Sequence, residues 1–306
     1  MTVDRARLRR TIAVINGKGG VLKTTLVANC AGMLAASGFK VLAVDLDPQG
    51  NLAEDLGYDE APDNDEGQSL AAALMFGSVP SVRRDVRPNL DVLVGGPELD
   101  SASAGLAAPA LTTRKKRDPR LALANLLEPL AEDYDLIFLD CPPGDEMLQT
   151  NAIAAAKWAL VPVKSDKSSR KGVSAVARRL DAAVDVNPEL DLLGVVLTDI
   201  GSTATAVERE ARTAIASLFG FGDVVFSATV RHSEATAQAA RDRGKLVVEL
   251  EQAAKAGPKW WQVLKGDADG SAMVPATASS VAGDLFAVAQ EIVDRLTVAE
   301  AREGEK

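Results

Sequence analysis

The stretch Ile15-Asn16-Gly17-Lys18-Gly19-Gly20-Val21-Leu22-Lys23-Thr24-Thr25 sets three glycines and two lysines where a short β-branched run gives way to a helical one. Residues 11–15, Thr-Ile-Ala-Val-Ile, read as a buried strand, and residues 24–36, rich in Ala and Leu, read as a helix. A glycine-rich turn between them lets several backbone N–H groups point at one anion, and the helix N-terminus adds its partial positive charge. Such a junction suits a polyphosphate. Lys23 is placed for the β- and γ-phosphates and the Thr24 hydroxyl for a Mg²⁺ ion. The junction also narrows the fold, because ligands of this kind bind at the carboxyl ends of strands in parallel sheets.

Two further strand-like runs end in carboxylates. Residues 40–46 form an apolar run that closes on Asp45 and Asp47, followed by a stop at Pro48 and a turn at Gly50. Residues 135–140 deliver Asp140 into a Cys141-Pro142-Pro143-Gly144 loop. A single aspartate at a strand end is commonly a turn former. Three such motifs on alternating strands and helices make that bland reading improbable, and Mg²⁺ needs only one or two protein carboxylates because it keeps several waters.

Apolar runs at 11–16, 40–46, 89–94, 135–140, 158–163, 193–199 and 223–226 alternate with helical stretches. That alternation predicts an α/β fold with a mostly parallel, doubly wound sheet and helices on both faces. With 47% hydrophobic and 25% charged residues, a chain of 306 can bury the core this needs, and a single domain over 1–306 is expected. Residues 57–67 and 100–118 read as loops. Residues 251–275 read as an insertion in which Trp260 and Trp261 pack as a small subcore and Asp267 and Asp269 make a plain turn. A helix over 277–297 carries Val281, Leu285, Phe286, Val288, Ala289, Ile292, Val293 and Leu296 as an apolar stripe.

No run of about eighteen apolar residues occurs, and no long apolar segment follows the basic residues of the first ten. Neither a membrane span nor a signal peptide is expected, and the protein should be cytoplasmic. Cys30 and Cys141 lack metal-ligand spacing and read as buried thiols. His232, the only histidine, reads as solvated, which argues against a Ser-His or Cys-His catalyst.

On these residues the chain resembles the ParA/MinD family of P-loop ATPases, closest to its short, Soj-like partition members. Gly17, Lys18, Gly19, Gly20, Val21, Leu22, Lys23, Thr24 and Thr25 resemble the family's deviant Walker A motif and would surround the nucleotide. Lys18 matches the signature lysine that reaches the partner's nucleotide in an ATP-sandwich dimer. One position departs, since the glycine just before the Walker lysine is Leu22 here. If that position needs φ > 0, a leucine costs roughly 1–2 kcal/mol.

Residues 45–51, Asp-Leu-Asp-Pro-Gln-Gly-Asn, resemble the Walker A′ motif and residues 135–140 the Walker B strand. The resemblance implies Lys18, Lys23 and Asp47 as catalytic residues, with Asp47 orienting the attacking water. It implies Thr24, Asp47 and Asp140 as the metal set, Asp45 and Asp140 acting through water, with ATP or ADP and Mg²⁺ as cofactors. Residues 193–199 resemble the strand that ends near the adenine base. Residues 228–235 resemble a segment with a DNA-contacting arginine, matched by Arg231, and Arg170 and Lys171 are further DNA candidates.

The implied activity is that of a DNA-partition ATPase associated with the nucleoid. An ATP-dependent homodimer would hold DNA without sequence preference and hydrolyse ATP slowly until a ParB-like partner stimulates it, segregating a plasmid or chromosome. A net charge of −9 requires that DNA binding come from a local patch. Basic residues gather at Arg114, Lys115, Lys116, Arg117 and Arg120 and at Lys164, Lys167, Arg170, Lys171, Arg178 and Arg179, apart from an acidic run at Glu54, Asp55, Asp59, Glu60, Asp63, Asp65 and Glu66. Three other readings stay open. A MinD-like membrane cycle is disfavoured by the acidic neighbours of the last helix, so no membrane binding is expected. A ParA-like positioner of a protein cargo is the second, and a nucleotide-binding module with weak or no turnover because of Leu22 is the third.

Overall fold

The computed structural model describes residues 3–108, 118–164, 169–201, 205–219, 222–256 and 274–304. Its strands are β1 (Thr11–Val14), β2 (Val41–Asp45), β3 (Arg83–Arg87), β4 (Leu90–Leu93), β5 (Leu136–Asp140), β6 (Trp158–Lys164), β7 (Asp191–Ile200) and β8 (Val225–Arg231). They form one sheet in the order β3-β4-β2-β5-β1-β6-β7-β8, parallel throughout except for β3, which runs antiparallel to β4. Every residue of β1, β2, β4 and β5 is buried. Strands covered on both faces read as continuous apolar runs, which is why the sequence announces them.

The sheet separates two cores. One gathers residues of the helices Gln68–Phe76, Glu98–Ala107, Ala122–Leu127 and Glu146–Ala155. The other gathers residues of Lys23–Ala36, Asn51–Leu56, Val247–Ala256 and Ala278–Gly304. The doubly wound, mostly parallel expectation therefore holds.

Four local expectations are corrected. Strand β3, Arg-Arg-Asp-Val-Arg, was not foreseen, because an edge strand with no buried residue has no apolar signature. Part of the loop expected over 100–118 is the helix Glu98–Ala107, whose buried Leu99, Ala102 and Leu106 are diluted in sequence by Ser and Gly. Strand β8 continues past 226 to Arg231, with a half-exposed outer segment that weakens its pattern. The last helix runs to Gly304 because its acidic end is anchored: Glu300 takes a two-pronged bond from Arg10 at 2.6 and 2.8 Å, and Glu303 pairs with Lys157 at 2.8 Å. Phe286 faces out of its stripe at 57% exposure, while Leu285, Val288, Ile292 and Leu296 are buried.

Residues 109–117 and 257–273 lie outside the described residues, and with them the basic run at 114–117, Trp260, Trp261, Asp267 and Asp269. Among the described residues no helix is long and apolar enough to cross a membrane.

Candidate functional site

Past β1 the chain is pinned before it turns. Asn16 is buried, its Nδ2 donates to the Pro162 carbonyl at 2.8 Å, and its Oδ1 accepts the Lys18 N–H at 2.9 Å. Gly20 then takes φ 70° and Leu22 takes φ 66°, ψ 29°, both left-handed. The departure seen in the sequence thus falls where a side chain is strained. Leu22 nevertheless adopts the conformation, its carbonyl accepts the Leu26 N–H at 2.9 Å, and its half-buried side chain packs against the core on the Lys23–Ala36 side. Thr198, a polar residue inside β7 that sequence reading passed over, donates its hydroxyl to the Val21 carbonyl at 3.3 Å and braces the loop from the far side.

Because the loop is already formed, Leu22→Gly is expected to change ATP affinity by less than about threefold. The roughly 1–2 kcal/mol of relieved strain is partly offset by lost packing and by the flexibility of glycine when unfolded. Calorimetric titration of both proteins checks this, and a tenfold gain in the variant would show that Leu22 obstructs the pocket.

Lys23 opens the first helix and is buried, with its Nζ donating to the Lys18 carbonyl at 3.2 Å. Burial lowers its pKa, while Asp140, Cys141 and Asp47 act to raise it. Asp45 and Asp140 are partners in register on the parallel strands β2 and β5, so their carboxyl groups leave the sheet side by side. Asp45 Oδ1 accepts the Asp47 N–H at 2.9 Å, and Asp47 Oδ1 accepts the Gln49 N–H at 3.0 Å. Asp45 Oδ2 and both oxygens of Asp140 are buried without a hydrogen-bond partner. Burial, then the neighbouring Asp140, holds the Asp45 carboxyl well above its usual range. Burial raises Asp140 as well, against the opposing pull of the Thr24 hydroxyl and Lys23.

Orphaned carboxylate oxygens next to a lysine-headed helix fit a cation that is not yet neutralised by protein. Among the described residues no three His, Cys, Asp or Glu side chains form a cage. Mg²⁺ suits that arrangement, since it retains waters and uses few protein ligands.

Asp55, part of the acidic run set apart from the basic residues, is buried. Its Oδ1 accepts from Arg241 Nε at 3.0 Å, and its pKa is raised by burial while Arg241 and the Thr25 hydroxyl lower it. It ties the helix behind the Walker A′ segment to the helix Glu234–Arg241. Asp63 pairs with Arg83 at 2.6 Å, and Asp65 caps the turn at Gly67 and Ser69.

Of the candidate DNA residues, Arg231 is brought to a carboxylate. Arg231 makes a two-pronged bond to Asp284, at 2.6 and 2.8 Å, and not to its sequence neighbour Glu234. Lys164 pairs with Asp199 at 2.8 Å, and Asp199 also takes a hydrogen bond from His232, which is therefore more than a solvated histidine. Arg120 pairs with Asp118 and Asp185, and Arg179 with Glu146 at 3.4 Å. The side chains of Arg170 and Lys171 and the whole of Lys167 lie outside the described residues. Cys30 and Cys141 are buried thiols, as expected, and burial pushes Cys30 up to about 12.

An AAA domain family model matches residues 9–192, the span that carries all three motifs. Over 238 residues the chain is 35% identical to the chromosome-partitioning ATPase Soj of Thermus thermophilus, covering 77% of this chain and 86% of that protein. The chain belongs to the ParA/MinD family of P-loop ATPases. A second ParA/MinD-family relative, the chromosome partitioning protein ParA of Myxococcus xanthus, is 35% identical over 206 residues, 67% of this chain and 70% of its own length. The septum site-determining protein MinD of Pyrococcus horikoshii, solved with Mg-ADP, shares the fold with a TM-score of 0.62 at 21% identity, covering 92% of this chain and 95% of that one.

Proposed function

We propose that this ParA/MinD-family protein is a partition ATPase in which ATP closes two subunits face to face and hydrolysis parts them. The observation that carries the reading is the buried Lys23 beside the unpartnered oxygens of Asp45 and Asp140. Lys23 exchanges the Lys18 carbonyl for β- and γ-phosphate oxygens, and backbone N–H groups of Gly17 to Thr25 cradle the rest. Mg²⁺, when bound, neutralises charge on the β- and γ-phosphates. Thr24 and Asp47 would hold that ion, Asp45 and Asp140 would act through its waters, and Asp47 would orient the attacking water. Lys18 reaches the partner's nucleotide, so that each site is complete only in the dimer. The whole chain acts as one such unit.

Turnover is slow alone and rises with a ParB-like partner. The dimer holds nucleoid DNA without sequence preference, through Arg231 with Arg170 and Lys171. Arg231 must leave Asp284 to do so. Arg231 is 48% exposed but its partner Asp284 only 16%, and Asp284 also accepts the Arg231 N–H at 3.0 Å, so a DNA phosphate must replace a two-pronged bond to draw the guanidinium away. A protein-cargo positioner uses the same switch, with the adaptor choosing the load.

Sedimentation with Mg-ATP tests the switch. The native chain is expected to dimerise with ATP and not with ADP, whereas Lys18→Ala stays monomeric yet still binds nucleotide. A Lys18→Ala protein that dimerises with ATP as the native chain does would remove the sandwich from the reading.

A further inference from the structure

Two short helices meet by their C-terminal ends. Asn51–Leu56 leads back through Gly50 to Asp47, and Glu234–Arg241 leads back through Ser233 and His232 to Arg231. Beyond these ends Gly57 and Gly244 touch backbone to backbone. A Cβ on Gly57 would stand 2.6 Å from the Gly244 carbonyl oxygen, and one on Gly244 would stand 2.4 Å from the Gly57 Cα. Only glycine at both positions allows that approach.

Arg87 pins the contact. Its Nη1 donates to the Leu56 carbonyl and its Nη2 to the Gly244 carbonyl, both at 3.1 Å, while Glu249 accepts from Nε and Nη2 at 2.6 and 3.0 Å. A cation is favourably placed at carbonyls that a helix end leaves without intrahelical partners. On the same side the buried Asp55 accepts from Arg241, the last residue of its helix, at 3.0 Å. An ion pair with a buried carboxylate is commonly no more stabilising than apolar packing, so stability alone does not account for Asp55.

The turn at Asp47 has little room on its other side. A Cβ on Gly95 would stand 2.5 Å from the Asp45 carbonyl oxygen, and one on Gly50 would come within 3.5 Å of the Gly96 Cα. Asp47 Oδ1 accepts the Gln49 N–H, so recruiting that carboxylate to a nucleotide disturbs the turn from which Asn51–Leu56 starts. The two helices have 6 and 8 residues, or about 9 and 12 Å, and short rigid elements pass a shift along their length.

We propose that this contact is a joint, through which a shift of the Asp47 turn on nucleotide binding travels along Asn51–Leu56, across Asp55–Arg241 and Gly57–Gly244, and along Glu234–Arg241 to the segment of Arg231. The inference rests on the nucleotide reading above.

Hydrogen–deuterium exchange on the full chain, with and without Mg-ATP, tests it. Lys18→Ala is measured beside the native chain, so that protection by dimer contacts is told apart from protection carried through the joint. In both proteins Mg-ATP is expected to slow exchange at residues 47–56 and 234–244 together, by about fivefold at the second segment, the low end of coupling between sites. Arg241→Gln is expected to keep the slowing at 47–56 and to cut that at 234–244 to less than about twofold. Arg87→Gln is the second cut at the joint, read in its place if Arg241→Gln does not fold. Slowing at 47–56 alone, in the native chain or in Lys18→Ala, overturns the joint and leaves the nucleotide reading standing. A native-sized response at 234–244 in Arg241→Gln, or in Arg87→Gln where that one is read, overturns it too. A native chain whose exchange at 17–25 and 47–56 is untouched by Mg-ATP would overturn the nucleotide reading itself, and this inference with it.

Discussion

Replacing Lys23 with Ala is expected to lower ATP turnover by at least about a hundredfold, the usual cost of losing one charge-stabilising donor in a transition state, and to abolish the rise in melting temperature that ATP gives the native chain. Lys23 is a buried ammonium whose Nζ donates to a carbonyl, that of Lys18. A carbonyl is a weak partner for a desolvated ammonium, and phosphate oxygens are a better one. Scanning calorimetry with and without Mg-ATP, beside a steady-state assay with DNA present, separates the two effects. If the variant keeps more than a tenth of native turnover, Lys23 does not carry the phosphates. Lys18→Ala makes the contrast, since it should keep the nucleotide-dependent shift of a monomer.

Asp140→Asn is expected to work in opposite directions on stability and activity. Both Asp140 oxygens are buried, with Asp45 beside them in register and only the Thr24 hydroxyl and Lys23 acting to support their charge. The folded pKa of each is raised, by burial first. Between the ordinary carboxylate range and those raised values the folded chain holds more protons than the unfolded chain. Nucleotide-free stability should therefore be greatest at low pH in this window and fall as pH rises through the folded pKa. The amide carries no charge to bury, so the variant should be more stable by about 1–2 kcal/mol at neutral pH and show a shallower pH slope. Its Mg²⁺-dependent turnover should nevertheless drop by about 10–100-fold. Melting curves at several pH values without nucleotide decide it. A variant less stable than the native chain at pH 7 would mean that the support Asp140 exchanges with Lys23 and the Thr24 hydroxyl outweighs the cost of its buried charge.

The alternation of apolar runs was enough to read the central sheet, because strands buried on both faces leave no polar interruption. Asp45, Asp47 and Asp140 were legible because strand ends and turns advertise themselves locally. What escaped was decided by proximity in space. Gly95 is ordinary in sequence and only the approach of Asp45 explains it. Asp55 was legible only as one of an acidic run and Arg231 only as a candidate DNA contact, because their partners are 186 and 53 residues away, at Arg241 and Asp284. Leu22 was the reverse case, a visible conflict with the motif at a position where the backbone is indeed left-handed.

The charged outermost strand has a consequence for how this molecule meets others. On β3, Arg83, Arg84 and Arg87 each engage a carboxylate, those of Asp63, Asp91 and Glu249, and the strand is irregular in register against β4. A rim occupied in this way is a poor template for another molecule's strand. Concentrated protein is thereby discouraged from stacking sheet to sheet into ribbons along this rim.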